Sequence, residues 1–217
     1  MQAELNRTLA DMLYRAAVVP VVTVASPEQG VAMARAMVAG GLDLIEVTLR
    51  TPAALHAIAQ IRREVPQARV GAGTVLAPDV GEAAIAAGAQ FIVSPGMTPR
   101  LVEAAHRWPV PFLPGAVTAS EAMALADLGY RCLKFFPAET SGGVAALKAL
   151  AAPLAGISFC PTGGIGFEAA HRYLALANVV AVGGSWITPQ SAVEAGEWET
   201  VTALSEQAAG LRRRGAA

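Results

Sequence analysis

The sequence predicts a single (β/α)8 barrel of the TIM type, and three features of its pattern support that fold. Eight short apolar runs rich in β-branched residues recur along the chain. Their starts lie roughly 20 to 26 residues apart, which is the length of one βα unit. An Ala- and Leu-rich stretch of helical character follows most of the runs. Units of such even length favour a closed barrel over the competing doubly wound open sheet.

The predicted strands cover, in chain order, residues 18–24, 42–49, 69–75, 90–94, 110–115, 131–136, 157–162 and 179–183. Segments at about 2–15 and 188–214 flank these units and are predicted to be additional helices, the first of them N-terminal to the barrel. The composition does not shift anywhere along the chain, and it contains no linker-like stretch. We therefore expect residues 1–217 to form one domain.

Ser and Thr residues mark where several helices are predicted to begin. Ser26, Thr51 and Thr98 each precede a proline, which combines a capping side chain with the residue preferred at the first helical position. Thr118 stands three residues before Glu121, the spacing of a capping box.

The composition excludes several classes of protein. The 217 residues are 54% hydrophobic and carry a formal net charge of −1, so a large core is expected and a basic surface for nucleic acid or anionic lipid is not. Cys132 and Cys160 are too few for a disulfide framework, and they suggest a reducing compartment. Because no apolar run is long enough to span a bilayer, we expect a cytoplasmic protein.

Lys134 is the most informative single residue, because it lies in the middle of the apolar run 131–136. Alternation along a strand puts Cys132, Lys134 and Phe136 on one face. A lysine is almost never fully buried without a partner. A structural explanation stays open here, namely a buried ion pair or a side chain whose tip reaches water.

Residues that could carry chemistry follow the predicted strands, where the active groups of such barrels gather. Glu46 and Arg50 share one face of the second strand, together with Thr48. A neutral amine can attack a ketone to form an imine, a glutamate can relay the protons, and an arginine can hold a carboxylate. A lysine–glutamate salt bridge without chemistry is the alternative.

Glycine pairs follow the seventh and eighth predicted strands, at Gly163-Gly164 and Gly183-Gly184, and Ser185 comes next. Backbone amides without Cβ atoms can close on an anion, so these turns predict a phosphate site. Tight βα turns with no ligand are the alternative. The histidines lie in predicted helices away from the strand ends, so we expect neither a metal nor another cofactor.

Six strings in order along the chain, EVTLRT, VGAGTV, SPGMTP, LKFFPAE, FCPTGGI and GGSW, resemble the 2-keto-3-deoxy-6-phosphogluconate (KDPG) aldolase family. The resemblance implies a homotrimeric class I aldolase that splits KDPG into pyruvate and glyceraldehyde 3-phosphate without a metal. It implies that Lys134 forms the imine and that Glu46 is the acid–base catalyst. It implies substrate contacts at Arg50, Thr74, Pro95, Phe136, Thr162, Gly163, Gly164 and Ser185.

Two positions bear on substrate choice within the wider family. Thr23 stands where some related aldolases have an arginine, which removes one expected phosphate contact. Thr162 resembles the gluconate type, whereas galactonate-type relatives tend to have valine there. Cleavage of 4-hydroxy-2-oxoglutarate or of the galactonate epimer stays open. A phosphosugar isomerase or epimerase would explain the glycine turns but not Lys134, and a non-catalytic binding barrel would explain neither.

Overall fold

In the computed structural model, which describes residues 2–211, the chain forms an α/β fold built on a curled parallel sheet. The strands are β1 (Val18–Val22), β2 (Leu44–Thr48), β3 (Arg69–Gly73), β4 (Ile92–Val93), β5 (Phe112–Leu113), β6 (Cys132–Phe135), β7 (Ser158–Pro161) and β8 (Val182–Gly184). The helices are α1 (Gln2–Ala16), α2 (Pro27–Ala39), α3 (Ala54–Glu64), α4 (Pro78–Ala86), α5 (Pro99–Ala105), α6 (Ala119–Asp127), α7 (Gly143–Ala151), α8 (Phe167–Leu174), α9 (Gln190–Ala195) and α10 (Trp198–Ala209).

All eight predicted strands are present, although β4 and β5 are only two residues long. Six strands pair in the order β5-β4-β3-β2-β1-β8, and β6 pairs with β7. All of these pairs are parallel. Isolated bridges join the two groups of strands, from Gly115 to Lys134 on one side and from Thr162 to Gly183 on the other.

Alternation along the strands sorts the core into two clusters. Outward-facing residues such as Leu133 and Phe135 pack in the large cluster that also contains apolar residues of the surrounding helices. Inward-facing residues such as Cys132 form a second cluster with Leu9 and Leu13 of α1. Because α1 packs against the beginnings of the strands, it covers that end of the inner face and leaves the carboxyl end open.

Three of the predicted helix starts are confirmed. The Ser26 hydroxyl accepts a hydrogen bond from the Gln29 amide, and Thr98 caps α5 in the same way. Thr118 and Glu121 form the complete capping box at α6. The cap at Thr51 was predicted wrongly, since α3 begins later, at Ala54. The Thr51 hydroxyl instead donates to the Val24 carbonyl at 2.7 Å and so ties the β2–α3 loop to the end of β1.

The predicted helical segment after β8 contains two helices, α9 and α10. Residues 212–214, with which that predicted segment ends, lie outside the described residues. Among residues 2–211, none of the helices combines the length and the apolar character that crossing a membrane requires.

Candidate active site

A buried ion pair between Lys134 of β6 and Glu46 of β2 lies inside the curled sheet. The Lys134 Nζ atom is 2.9 Å from Glu46 Oε1 and 3.3 Å from Oε2. Only 5% of Lys134 and 3% of Glu46 are exposed. Charges buried to this degree carry a large desolvation cost, which each partner offsets for the other. The structure therefore brings together the two residues that the sequence predicted as amine and proton relay.

Two glycines lie next to this pair, of which Gly73 makes room for the carboxylate and Gly115 lets the Pro95 backbone approach. Glu46 is level with Gly71 in the β2–β3 register, and its carboxylate lies against Gly73, where a Cβ atom would collide with Oε1. Gly115 forms the bridge to Lys134, and a Cβ atom there would collide with the Pro95 carbonyl. The inner face can hold an ammonium and a carboxylate side by side because neighbouring strands contribute no side chain at these positions.

Apolar side chains lie beneath the pair and beside it. Cys160, which is level with Lys134 in the β6–β7 register, belongs to the inner cluster with Cys132 and Leu44. Burial raises the pKa of the Cys160 thiol to about 12, and the Glu46 charge raises it as well, while Lys134 and a hydrogen bond with Thr162 oppose that rise. Burial also raises the pKa of the Cys132 thiol. Both thiols are therefore uncharged at neutral pH.

A cavity of about 170 Å³ opens above the pair at the carboxyl ends of the strands. Its walls come from β1, β2, β6, β7, β8 and the loops that follow them, and consist of Val21, Thr23, Thr48, Arg50, Phe136, Thr162, Gly163, Gly164, Ile165, Gly183, Gly184 and Ser185. The Phe136 ring connects the cavity to the pair, because its centroid is 5.5 Å from Lys134 Nζ. Lys134 and Glu46 do not themselves line the cavity, but an amine next to its wall suits attack on a small carbonyl compound.

Arg50 supplies the positive charge in the cavity wall. Its Nε donates to the Thr74 hydroxyl at 3.3 Å, and among residues 2–211 the guanidinium forms no ion pair. Thr74 has a φ of 61°, a left-handed conformation that β-branched residues rarely adopt. This backbone orients the hydroxyl toward Arg50. The guanidinium keeps donors available for a substrate carboxylate.

The glycine turn after β7 adopts the conformation that the phosphate prediction requires. Gly163 has a φ of 104° and Gly164 a φ of 78°, which only glycine adopts without strain. Both residues line the cavity, as does Ser185, whose hydroxyl is a further donor. Gly183 is needed for a different reason, since a Cβ atom there would collide with the Thr162 hydroxyl.

Six of the eight predicted substrate contacts line this cavity, namely Arg50, Phe136, Thr162, Gly163, Gly164 and Ser185. Thr74 reaches the cavity through its bond to Arg50, and Pro95 packs on Gly115 beside Lys134. The sequence did not identify Thr48 as a contact, although alternation placed it between Glu46 and Arg50. Its hydroxyl donates to the Val22 carbonyl and lies 2.8 Å from that of Thr23, so the two threonines form one polar wall.

Within residues 2–211, no group of three or more His, Cys, Asp or Glu side chains is arranged to hold a metal ion. His106 stacks on Tyr130, and His171 packs edge-on against Phe167, as residues of helical surfaces do. A larger cavity of about 400 Å³ adjoins the first and shares Val21, Thr23 and Ser185 with it.

A parallel α/β fold with a buried lysine–carboxylate pair beneath a cavity at the strand ends defines an enzyme of carbonyl chemistry. The sequence profile of an aldolase family described as KDPG and KHG aldolase matches residues 9–204. The chain belongs to this family and is an aldehyde-lyase.

The KHG/KDPG aldolase of Escherichia coli K12 is 50% identical over 191 residues, which cover 88% of this chain and 90% of that protein. A KDPG aldolase from Legionella pneumophila, solved with pyruvate as a covalent carbinolamine intermediate, has a TM-score of 0.89 at 39% identity and covers 91% of this chain and 96% of its own. The Zymomonas mobilis KDPG aldolase solved with 3-phosphoglycerate has a TM-score of 0.90 at 42% identity. The match covers 97% of this chain and 99% of that one.

Proposed function

We propose that this protein cleaves 2-keto-3-deoxy-6-phosphogluconate to pyruvate and glyceraldehyde 3-phosphate through an imine on Lys134. The observation that carries the proposal is the buried pair, in which Lys134 Nζ lies 2.9 Å from a Glu46 oxygen beneath the cavity. The relatives named as KDPG aldolases, and the carbinolamine captured in one of them, support the same chemistry.

The first half of the reaction uses the pair to form the imine. Glu46 takes a proton from the Lys134 ammonium, and the neutral amine attacks the C2 ketone of the substrate. The carbinolamine that results loses its hydroxyl as water, with the proton returned by Glu46. Arg50 holds the C1 carboxylate, which fixes C2 above the amine. The product of this half is a protonated imine.

In the second half the imine acts as an electron sink. Glu46 accepts the proton of the C4 hydroxyl, the C3–C4 bond breaks, and its electron pair moves into the imine to give an enamine. Glyceraldehyde 3-phosphate leaves, C3 of the enamine takes up a proton, and water releases pyruvate from Lys134. The glycine turn and Ser185 hold the phosphate throughout, because their N–H and O–H groups are donors.

We further propose that the eight strands close into one (β/α)8 barrel with α1 as an additional N-terminal helix. The bridges on both sides of the β6–β7 pair support this closure. Assembly as a homotrimer stays a prediction from the resemblance, and a cytoplasmic location stays a prediction from the composition. Light scattering of the purified protein tests the trimer directly.

Borohydride trapping tests the proposed function. Reduction in the presence of pyruvate should add one stable pyruvate-derived mass to the peptide that contains Lys134. Lys148 is the internal control, since it is the other lysine of the chain and lies exposed on α7. An adduct confined to Lys134 supports the proposal. No adduct, or equal labelling of both lysines, would overturn it.

A further inference from the structure

Behind the glycine turn lies a carboxylate that does not line the cavity. Glu139 begins a 3-10 turn (Glu139–Ser141) soon after β6, and its side chain packs against Gly164. A Cβ atom on Gly164 would lie only 2.9 Å from Glu139 Cγ. Glu139 therefore brings a negative charge next to the turn to which an anionic phosphate is proposed to bind.

The backbone of the same segment is joined to the turn. The Ala138 amide donates to the Thr162 carbonyl at 2.8 Å, and the Glu139 amide donates to the Gly163 carbonyl at 3.2 Å. The strand that carries Lys134 and the turn that follows β7 are thus held together beyond the ends of β6 and β7. The backbone at Glu139 is therefore held directly against Gly163.

The Glu139 carboxylate is held by Tyr173 of α8, whose hydroxyl donates to Oε1. The Tyr173 side chain is buried, and Gly143 closes over its hydroxyl, where a Cβ atom would lie 3.0 Å away. Burial raises the pKa of Tyr173, and the hydrogen bond to Glu139 raises it further, so the phenol remains a donor at neutral pH. The carboxylate is thereby fixed toward α8.

We propose that the Glu139–Tyr173 hydrogen bond is a specificity device that keeps the Glu139 charge turned away from the substrate phosphate. This inference rests on the proposed function of the cavity. Neither residue touches the substrate. They are positioning residues that act through Gly163 and Gly164. Without Tyr173, the carboxylate of Glu139 would be free to swing toward the turn, where like charges repel.

The test compares KDPG with 2-keto-3-deoxygluconate, the same sugar acid without its phosphate. Tyr173→Phe should raise the KM for KDPG about 10-fold and leave the KM for the unphosphorylated acid within about twofold. In the double variant Tyr173→Phe/Glu139→Gln, the side chain at position 139 is loosened but uncharged. The KM for KDPG should therefore return most of the way to the wild-type value. Tyr130→Phe is the matched control, because it removes a buried hydroxyl that has no hydrogen-bond partner among residues 2–211.

An equal rise in KM for the two substrates would show that the Glu139–Tyr173 hydrogen bond only supports the fold. A KM for KDPG as high in the double variant as in Tyr173→Phe would exclude repulsion by the Glu139 charge. An unchanged KM for KDPG in Tyr173→Phe would likewise overturn the inference. If Tyr173→Phe does not fold, Glu139→Asp decides, since the shortened carboxylate cannot reach the phenol and should reproduce the selective loss. Pyruvate trapping on Lys134 in every variant separates these outcomes from a failure of the proposed function, which would abolish the adduct in the wild type as well.

Discussion

Two layers of inward-facing side chains meet inside the curled sheet, and they differ in their chemistry. In the lower layer, Leu44 of β2 and Cys132 of β6 pack with apolar residues of α1. Two residues further along the same strands, Glu46 and Lys134 form the ion pair. Strict alternation of the strands therefore stacks the reactive pair directly on an apolar floor.

The difference between the layers shows how one sheet can provide both stability and reactivity. The lower layer excludes water, which strengthens every electrostatic interaction in the layer above it. The upper layer tolerates two charges because they neutralise each other and because Gly73 leaves space for the carboxylate. Lys148 is exposed on α7, so no apolar layer shields it from water, and it remains an ordinary surface lysine.

Replacing Lys134 should have the largest effect, because it removes the nucleophile from the upper layer. Lys134→Arg keeps the positive charge beside Glu46 but has no amine that can form the imine. We expect kcat to fall by about 10⁴-fold or more, with the fold retained. Steady-state cleavage of KDPG and a thermal melt measure the two quantities. Lys148→Arg should behave as the wild type. Turnover of Lys134→Arg within tenfold of the wild type would contradict the role of the lysine.

Glu46→Gln should have the next largest effect. It keeps the shape and a hydrogen-bond acceptor beside Lys134 but cannot take up the proton of the C4 hydroxyl. Removal of a general acid–base group costs about 10²- to 10⁴-fold, so kcat should fall on that scale while pyruvate still binds. Single-turnover cleavage and pyruvate titration separate the two effects. If affinity for pyruvate falls as far as kcat, Glu46 only positions the site.

Gly73→Ala tests the space in the upper layer, because it retains both charged residues and displaces only the side chain of Glu46. The new methyl group would collide with Glu46 Oε1 and push the carboxylate away from Lys134. A displacement of this kind costs about 10²-fold in kcat. Gly96→Ala is the matched control, since a Cβ atom there meets no atom of the described part of the chain within 4 Å. Similar kinetics in the two variants would show that the space at Gly73 is not needed.

The contrast between the layers was largely predictable from the sequence. Alternation alone put Cys132 and Lys134 on one face, and the eight repeated units put that face inside the sheet. The meeting of Lys134 and Glu46 was predicted from their places on the inner faces of two strands, but the direct contact at 2.9 Å was not, because it depends on the register between distant strands. The same holds for Thr51, whose hydroxyl bonds to the Val24 carbonyl on a neighbouring strand end instead of capping a helix. Local pattern specifies faces and helix starts, whereas contacts between units depend on packing.

The role of Gly73 was also hidden in the sequence. The string VGAGTV marks a glycine-rich strand, but nothing local shows that a carboxylate from β2 fills the space above it. Glu139 was not identified from the sequence for a related reason. It looks like an ordinary surface acid two residues after Pro137, and its partner Tyr173 comes from the helix of the next βα unit. Residues that act through another residue carry no signature in spacing.

The smallest expected effect concerns Cys160, which lies level with Lys134, and it appears in the pH dependence of stability. The folded-state pKa of Cys160 is raised to about 12 from an ordinary value of 9.0. Its uncharged thiol therefore contributes stability in full below pH 9, and this contribution is lost as the pH rises toward 12, because the unfolded chain ionises first. The loss amounts to at most about 1.4 kcal/mol for each pH unit.

Cys160→Ala should remove this loss of stability with rising pH. Urea unfolding at pH 8.0, 9.0 and 10.0 should show the stability gap between wild type and Cys160→Ala narrowing as the pH rises, since only the wild type carries the titrating thiol. Ser158→Ala is the control on the same strand, because it removes no titrating group. Its difference in unfolding free energy from the wild type should stay constant with pH. A constant gap for Cys160→Ala would mean that the thiol ionises equally in both states. The surroundings of Lys134 at the level of Cys160 would then be open to water, and the exclusion of water from the ion pair would have to come from other residues.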